Sequence, residues 1–257
     1  MIDLYIINLK SGLGRTCLYG RNTYDYQEGT MVFMAPNQTI KVDSSIETPN
    51  LSENWILLFH PDLIRKSELG NKIEQYSFFN YDVHEALHIS DYEKNLLNQI
   101  INNIENEYSQ NIDTHSQELI ISNIKMILDY CTRFYDRQFY TRTNFNKDIV
   151  AKFNAELKTY YSSQLPLEIG IPTVKYLGEK MNISPYYLSD LLKKETGRNT
   201  IEHVHFYIID KAKTNLLNST KSISEIAYEL GFEYPQHFAK LFKNKTGLSP
   251  TEYRSLN

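Results

Sequence analysis

The stretch "HEALH", His84 to His88, carries the residue types of a zinc hydrolase: two histidines four apart, with a glutamate after the first. On a helix this spacing puts both imidazoles on one face to hold zinc, the glutamate acts as base, and a third ligand completes the site. The flanks oppose that reading. "FFNYDV" reads as extended, and Ser90-Asp91 reads as the cap of the next helix, leaving little helix for His84. No downstream histidine or glutamate pattern offers a third ligand, so a chance match in a strand or connection is the reading kept. His60 stands alone, without a cupin metal motif. A phosphate loop, a nucleophile elbow and a Cys-His dyad are all missing from the sequence. The expectation is a protein that is not an enzyme and needs no metal or cofactor.

A different chemistry is written twice. "YLSDLLKKETG" occupies Tyr187–Gly197 and "HFAKLFKNKTG" occupies His237–Gly247. The inward positions match at Leu188/Phe238, Leu191/Leu241 and Leu192/Phe242, an apolar stripe at helical spacing. Each stretch ends on a glycine behind lysines, which suit the negative end of a helix dipole. Left facing out are Tyr186, Ser189, Asp190 and Lys193 on the first helix, and Gln236, His237, Ala239, Lys240 and Lys243 on the second. Gln can bridge adenine N6/N7, and Lys can reach guanine O6/N7 or a phosphate. Gln236 and Lys240 sit early on their helix and suit base contact; Lys243 suits a phosphate or open solvent. Asp190 repels phosphate, unless it accepts from cytosine N4 or pairs with Lys193 or Lys194. Backbone amides at the helix starts near Thr200, Ser222 and Thr251 could clamp phosphates. Solvated surface is the alternative for each of these side chains.

The elements upstream must aim those helices. "TVKYLGEKMN-ISP" and "SISEIAYELGF-EYP" each read as a short helix with a small residue, Gly178 or Ala227, where a neighbour crosses closely. Four residues later stands Asn182 or Gly231, types that tolerate a left-handed turn. Short helix, tight turn and amphipathic helix make a helix-turn-helix, although two packed helical hairpins would look similar. A helix from Thr200 to Leu217 would span about 27 Å at about 1.5 Å per residue, close to the roughly 34 Å repeat of the DNA major groove. One chain could thus hold two recognition helices in successive grooves. Ser184-Pro185 reads as a cap with proline at the first helical position, and Ser222…Glu225 and Ser249…Glu252 as capping boxes.

At Ile223–Arg254, "ISEIAYELGFEYPQHFAKLFKNKTGLSPTEYR" resembles the signature of the AraC family of bacterial transcription regulators, and "LGEKMNISPYYLSDLLKKETG" resembles that family's first helix-turn-helix. The resemblance runs roughly from Leu167 to Leu256. It implies a sequence-specific transcription regulator that binds double-stranded DNA, with RNA polymerase and a small-molecule effector as further partners. A protein-interaction module built on helical hairpins is the alternative. The family's effector domains are usually cupin-like barrels followed by a helical pair that dimerises.

The fold expected is α+β. A small antiparallel β-part, partially cupin-like, and a helical pair form an N-terminal regulatory and dimerisation domain over residues 1–140. An all-α DNA-binding domain, two helix-turn-helix units on a central helix, covers 146–257. "TMVFMAP" and "NWILLFHP" read as strands, and "KSGLG", "EGT" and "PNQ" as turns. Leu96, Leu97, Ile100, Ile101 and Ile104 share one helix face. A wider stripe through Leu119, Ile120, Ile124, Ile127, Leu128, Cys131 and Phe134 fits either a core or a subunit interface, the latter giving a homodimer through 91–137. Arg137–Lys147 reads as a polar linker, and "QLPLEIGIP" as a break. The net charge of −4 divides into −7 over the first 145 residues and +3 from Asn146 onward, which permits DNA binding by the second part. Cys17 and Cys131 are too few for a disulfide framework, no run is long enough to span a membrane, and the start lacks signal-peptide order. A cytoplasmic location is the expectation.

Overall fold

A computed structural model describes residues 3–10, 18–19, 22–23, 29–38 and 54–255. The turn expected at residues 11–14 and Cys17 lie outside them. The chain divides into two compact units, Met1–Thr143 and Asn144–Asn257.

In the first unit, strands β1 (Tyr5–Lys10), β2 (Leu18–Tyr19), β3 (Asn22–Thr23), β4 (Thr30–Met34) and β5 (Trp55–Phe59) come first. Helices α1 (Pro61–Ile64) and α2 (Glu68–Lys72) follow, then three single 3-10 turns and strand β6 (Leu87–His88). Four strands form one antiparallel sheet in the order β5-β1-β4-β6, and β2 pairs with β3. Both runs read as strands are strands. Alternation decides the sheet's faces: Ile7, Leu9, Met31 and Phe33 are buried, while Ile56 and Leu58 face out. Helix α3 (Asp91–Ser109) starts at the Ser90/Glu93 capping box and buries Leu97, Ile100 and Ile104. Helix α4 (Ser116–Thr141) buries Ile124 (1% exposed), Ile127 (0%), Leu128, Cys131 and Phe134 inside this unit. From Ile124 to Phe134 the wide stripe is therefore core, while Leu119 at its start is exposed.

Arg137–Lys147 is helical rather than an irregular linker, and the boundary between the two units falls inside it. Helix α4 runs through Thr141 and α5 (Thr143–Ser162) begins two residues later. The polar residues there have internal partners. Arg137 donates to both Glu93 carboxylate oxygens (3.0 and 2.9 Å) and to the His88 carbonyl (2.6 Å). The Gln138 amide accepts from the His88 N–H (2.8 Å) and donates to the Ala86 carbonyl (3.2 Å), serving β6 as a neighbouring strand would.

The second unit is helical: α5, α6 (Leu165–Ile169), α7 (Val174–Met181), α8 (Pro185–Thr196), α9 (Thr200–Asn218), α10 (Ile223–Glu229), α11 (Pro235–Thr246) and α12 (Pro250–Arg254). The expected break at 164–172 contains the short helix α6, started by Pro166 in its first turn and stopped by Gly170 at φ +85°. The Tyr160 hydroxyl donates to the Gly170 carbonyl (2.6 Å). That loop packs on the second helix-turn-helix so tightly that a Cβ on Gly231 would lie 2.6 Å from the Gly170 carbonyl carbon. By contrast Gly197, also at positive φ, faces open space.

Gly231→Ala should therefore destabilise the second unit by more than the roughly 1–3 kcal/mol of a strained backbone alone, because backbone must also move. Gly197→Ala should cost only the left-handed penalty of about 1–2 kcal/mol. Urea melts followed by far-UV circular dichroism rank the two; equal losses would refute the contact.

Candidate nucleic-acid interface

Two successive turns aim the repeated helices, and both are built the same way. After α7, Asn182 adopts the left-handed conformation (φ 53°, ψ 46°) and the Ile183 N–H donates to the Gly178 carbonyl at 3.0 Å. After α10, Gly231 has φ 87° and the Phe232 N–H donates to the Ala227 carbonyl at 3.0 Å. Each is a Schellman-type stop, in which the chain reverses around one residue at positive φ. The small residue is needed by the returning backbone: a Cβ on Gly178 would lie 2.6 Å from the Ile183 carbonyl oxygen.

Helix α8 starts on Ser184, whose hydroxyl accepts the Tyr187 N–H, with Pro185 in the first turn. Tyr187, Leu188, Leu191 and Leu192 are buried, Tyr187 beside the three positions of the expected apolar stripe. Tyr186 and Lys193 are exposed, whereas Ser189 and Asp190 are half-buried and Asp190 is engaged within the chain. Helix α11 buries Phe238 and Phe242 fully and Leu241 in part, and presents Gln236, His237, Lys240 and Lys243 to solvent. Both helices end on left-handed glycines, Gly197 and Gly247. Between them α9 extends one residue beyond its expected end and starts on an Asn199/Glu202 capping box.

The three helix starts expected to clamp phosphates each carry a capping-box carboxylate, Glu202, Glu225 or Glu252. The Ser222 N–H already donates to the Glu225 carboxylate (2.6 Å), whose pKa is lowered by bonding to Ser222. An ionised carboxylate on that amide opposes a phosphate there. Thr200 is buried, as the first residue of α9, and its hydroxyl has no hydrogen-bond partner. Thr251 is exposed in the first turn of α12, where the Ser249 N–H donates to the Glu252 carboxylate (2.7 Å), so that carboxylate likewise opposes a phosphate at its cap.

The "HEALH" stretch is not a helix. His84 is exposed in a 3-10 turn, Val83–Glu85, and His88 lies on β6. Asp82, His84 and Glu85 bring potential ligand atoms within 4.8 Å of one another, but the two carboxylates close a capping box on the turn's own amides. The His88 imidazole lies 3.2 Å from the Thr30 hydroxyl and is pushed from 6.5 to about 3, first by burial, then by the Arg142 and Arg137 guanidinium groups. An unfolded histidine takes its proton near pH 6.5, so His88 stabilises the fold above that pH, and the contribution is lost as pH falls toward about 3. Urea melts read by Trp55, the single tryptophan, should show the first unit weakening between about pH 7 and 5. His88→Asn should flatten that slope; an unchanged slope would exclude His88 as its source.

Residues 177–255 match the protein family described as a helix-turn-helix domain. The chain is 36% identical over 92 residues to an uncharacterised transcriptional regulatory protein, YesN, of Bacillus subtilis (strain 168), covering 34% of this chain and 25% of that one. It is 35% identical over 82 residues to the uncharacterised HTH-type transcriptional regulator YdiP of Escherichia coli (strain K12), covering 32% and 27%. The matched part thus spans about a quarter of these relatives' length. Among solved structures, the C-terminal domain of the two-component response regulator yesN from Fusobacterium nucleatum subsp. nucleatum ATCC 25586 is 27% identical, covering 42% of this chain and 98% of that one, with a TM-score of 0.37. Over residues 177–255 the chain is thus similar to a helix-turn-helix domain.

Proposed function

We propose that this chain is a sequence-specific DNA-binding transcription regulator of the AraC type, acting in the cytoplasm and not as an enzyme. The observation that carries this is the pair of identically stopped helix-turn-helix turns, at Asn182 and Gly231, on either side of the 19-residue helix α9. Residues 146–257 are the DNA-binding domain. Gln236 and Lys240 are the base readers, with Lys243 on phosphate, and the half-buried Asp190 makes the first unit the weaker reader. RNA polymerase is the partner that receives the regulatory output.

The first unit is the regulatory and dimerisation domain. A groove of about 840 Å³ between β5, α3 and α4 is lined by Trp55, Leu57, Phe59, Ile101, Ile104 and Tyr108. Its size lies within the roughly 300–1,000 Å³ of small-molecule sites, and an apolar effector would occupy it. The homodimer forms through the outer face of α4, where Leu119, Met126 and Tyr140 stand exposed on a seven-residue spacing with Arg133.

Sites selected from random duplexes test the reading. Gln236→Ala and Lys240→Ala should each cost about 1–3 kcal/mol and relax preference at particular base pairs. Lys243→Ala should weaken all sequences alike and lower the salt slope by about one. Absence of salt-dependent duplex binding by the wild type would end the proposal.

For the dimer, Met126→Glu should shift the mass measured by sedimentation toward monomer with the fold intact. Ile124→Asp should instead unfold the first unit, since it places a charge in a sealed core. A wild type that is monomeric at high concentration would overturn the dimer.

A further inference from the structure

A second charged surface in the helical unit lies away from the starts of the recognition helices. Arg198 follows the C-terminal glycine of α8, Lys245 is in the last turn of α11, and Lys213 stands on α9. Together with Glu202, Phe206 and Ile209 they line a cavity of about 240 Å³. Residues 198, 202, 206, 209 and 213 follow one another at three- and four-residue steps, so they form one face of the chain entering and following α9. Phe206 is 56% exposed, and the Arg198 guanidinium carbon lies 4.3 Å from its ring centroid. That cation–π contact engages the guanidinium while its N–H groups make no hydrogen bond among the described residues. None of the three cations forms an ion pair among the described residues, and the Glu202 carboxylate accepts the Asn199 amide at 2.8 Å.

We propose that this cleft docks an acidic segment of a partner protein, anchored by one aromatic or large apolar side chain between Phe206, Ile209 and the stem of Lys213. Three cations against one committed carboxylate select an acidic occupant. The volume is below the roughly 300–1,000 Å³ usual for small ligands and matches a single large side chain. A phosphate backbone would use the cations but gain nothing from the exposed ring. Lys245 also lies nine residues beyond Gln236, about 13 Å along the helix, so this site and the base-reading end of α11 are separate.

The test uses the full chain and short labelled peptides in which one Trp is flanked by Asp and Glu, with versions carrying Ser for Trp or Lys for the acids. Fluorescence polarisation should show binding of the acidic Trp peptide alone, weakening as salt rises. Arg198→Glu and Lys245→Glu should each weaken it about tenfold by charge reversal, and Phe206→Ala should do so by removing the anchor, again about tenfold. Circular dichroism checks that each variant is folded. If Phe206→Ala fails to fold, the two charge reversals at exposed positions decide. No binding at low salt, or equal binding by wild type and both reversals, overturns the proposal. So does a result in which the reversals abolish binding to a random duplex while the acidic peptide never binds, which would make the cleft a phosphate clamp. Base selection by Gln236 and Lys240 is read separately, so failure there leaves this result interpretable.

Discussion

The paired helix-turn-helix units rest on one hydrogen bond made twice: an amide just past a left-handed residue donates to a carbonyl five residues earlier. It links Ile183 to Gly178 and Phe232 to Ala227, at 3.0 Å in both units. A helix that stops this way reverses sharply, and the next helix starts soon after, on Ser184-Pro185 or Tyr234-Pro235. Proline at the first turn lacks the N–H that would go unsatisfied there and sets φ for the new helix. The exit angle of each recognition helix thus follows from short-range backbone chemistry. The buried Leu188, Leu191 and Leu192, and Phe238 and Phe242, then fix its rotation and determine which side chains reach solvent.

The two copies use that geometry differently. On α11 the exposed positions carry amide, imidazole and ammonium groups. On α8, Ser189 and Asp190 are drawn partly into the surface. The second helix-turn-helix also has an external brace: Gly231 packs against the Gly170 loop, itself held by the Tyr160 hydroxyl. A turn with two backbone segments in contact tolerates no side chain at its centre, so this position requires glycine for space as well as for φ. Asn182 holds the equivalent left-handed place in the first helix-turn-helix, at φ 53°.

Polar residues in the first unit illustrate how tertiary partners change a local reading. Arg137 and Gln138 look like linker residues until β6 and Glu93 are brought beside them. Their side chains satisfy backbone groups that a two-residue strand leaves open, and they carry α4 four residues past Arg137. The same neighbourhood explains His84 and His88. One lies in a capped 3-10 turn and the other on a strand beside two guanidinium groups, so four-residue spacing does not put them on a common face.

Much of the helical unit was legible because its signals are local. Serine caps with glutamate three residues on, prolines at first turns, left-handed Asn182 and Gly231, and terminal Gly197 and Gly247 each act within a few residues, and all stand where the pattern placed them. The strands at 30–34 and 55–59 and the start of α3 were legible for the same reason. What the sequence left open depends on residues far apart in the chain. Whether the Ile124–Phe134 stripe is core or interface was settled by α3 and the sheet covering it. The short α6, the Gly170–Gly231 contact and the Arg198–Phe206–Lys245 cleft needed the folded unit, because their partners lie up to about sixty residues apart. Periodicity tells which face of a helix is apolar, but only packing decides what covers it and which charges are left to meet a partner.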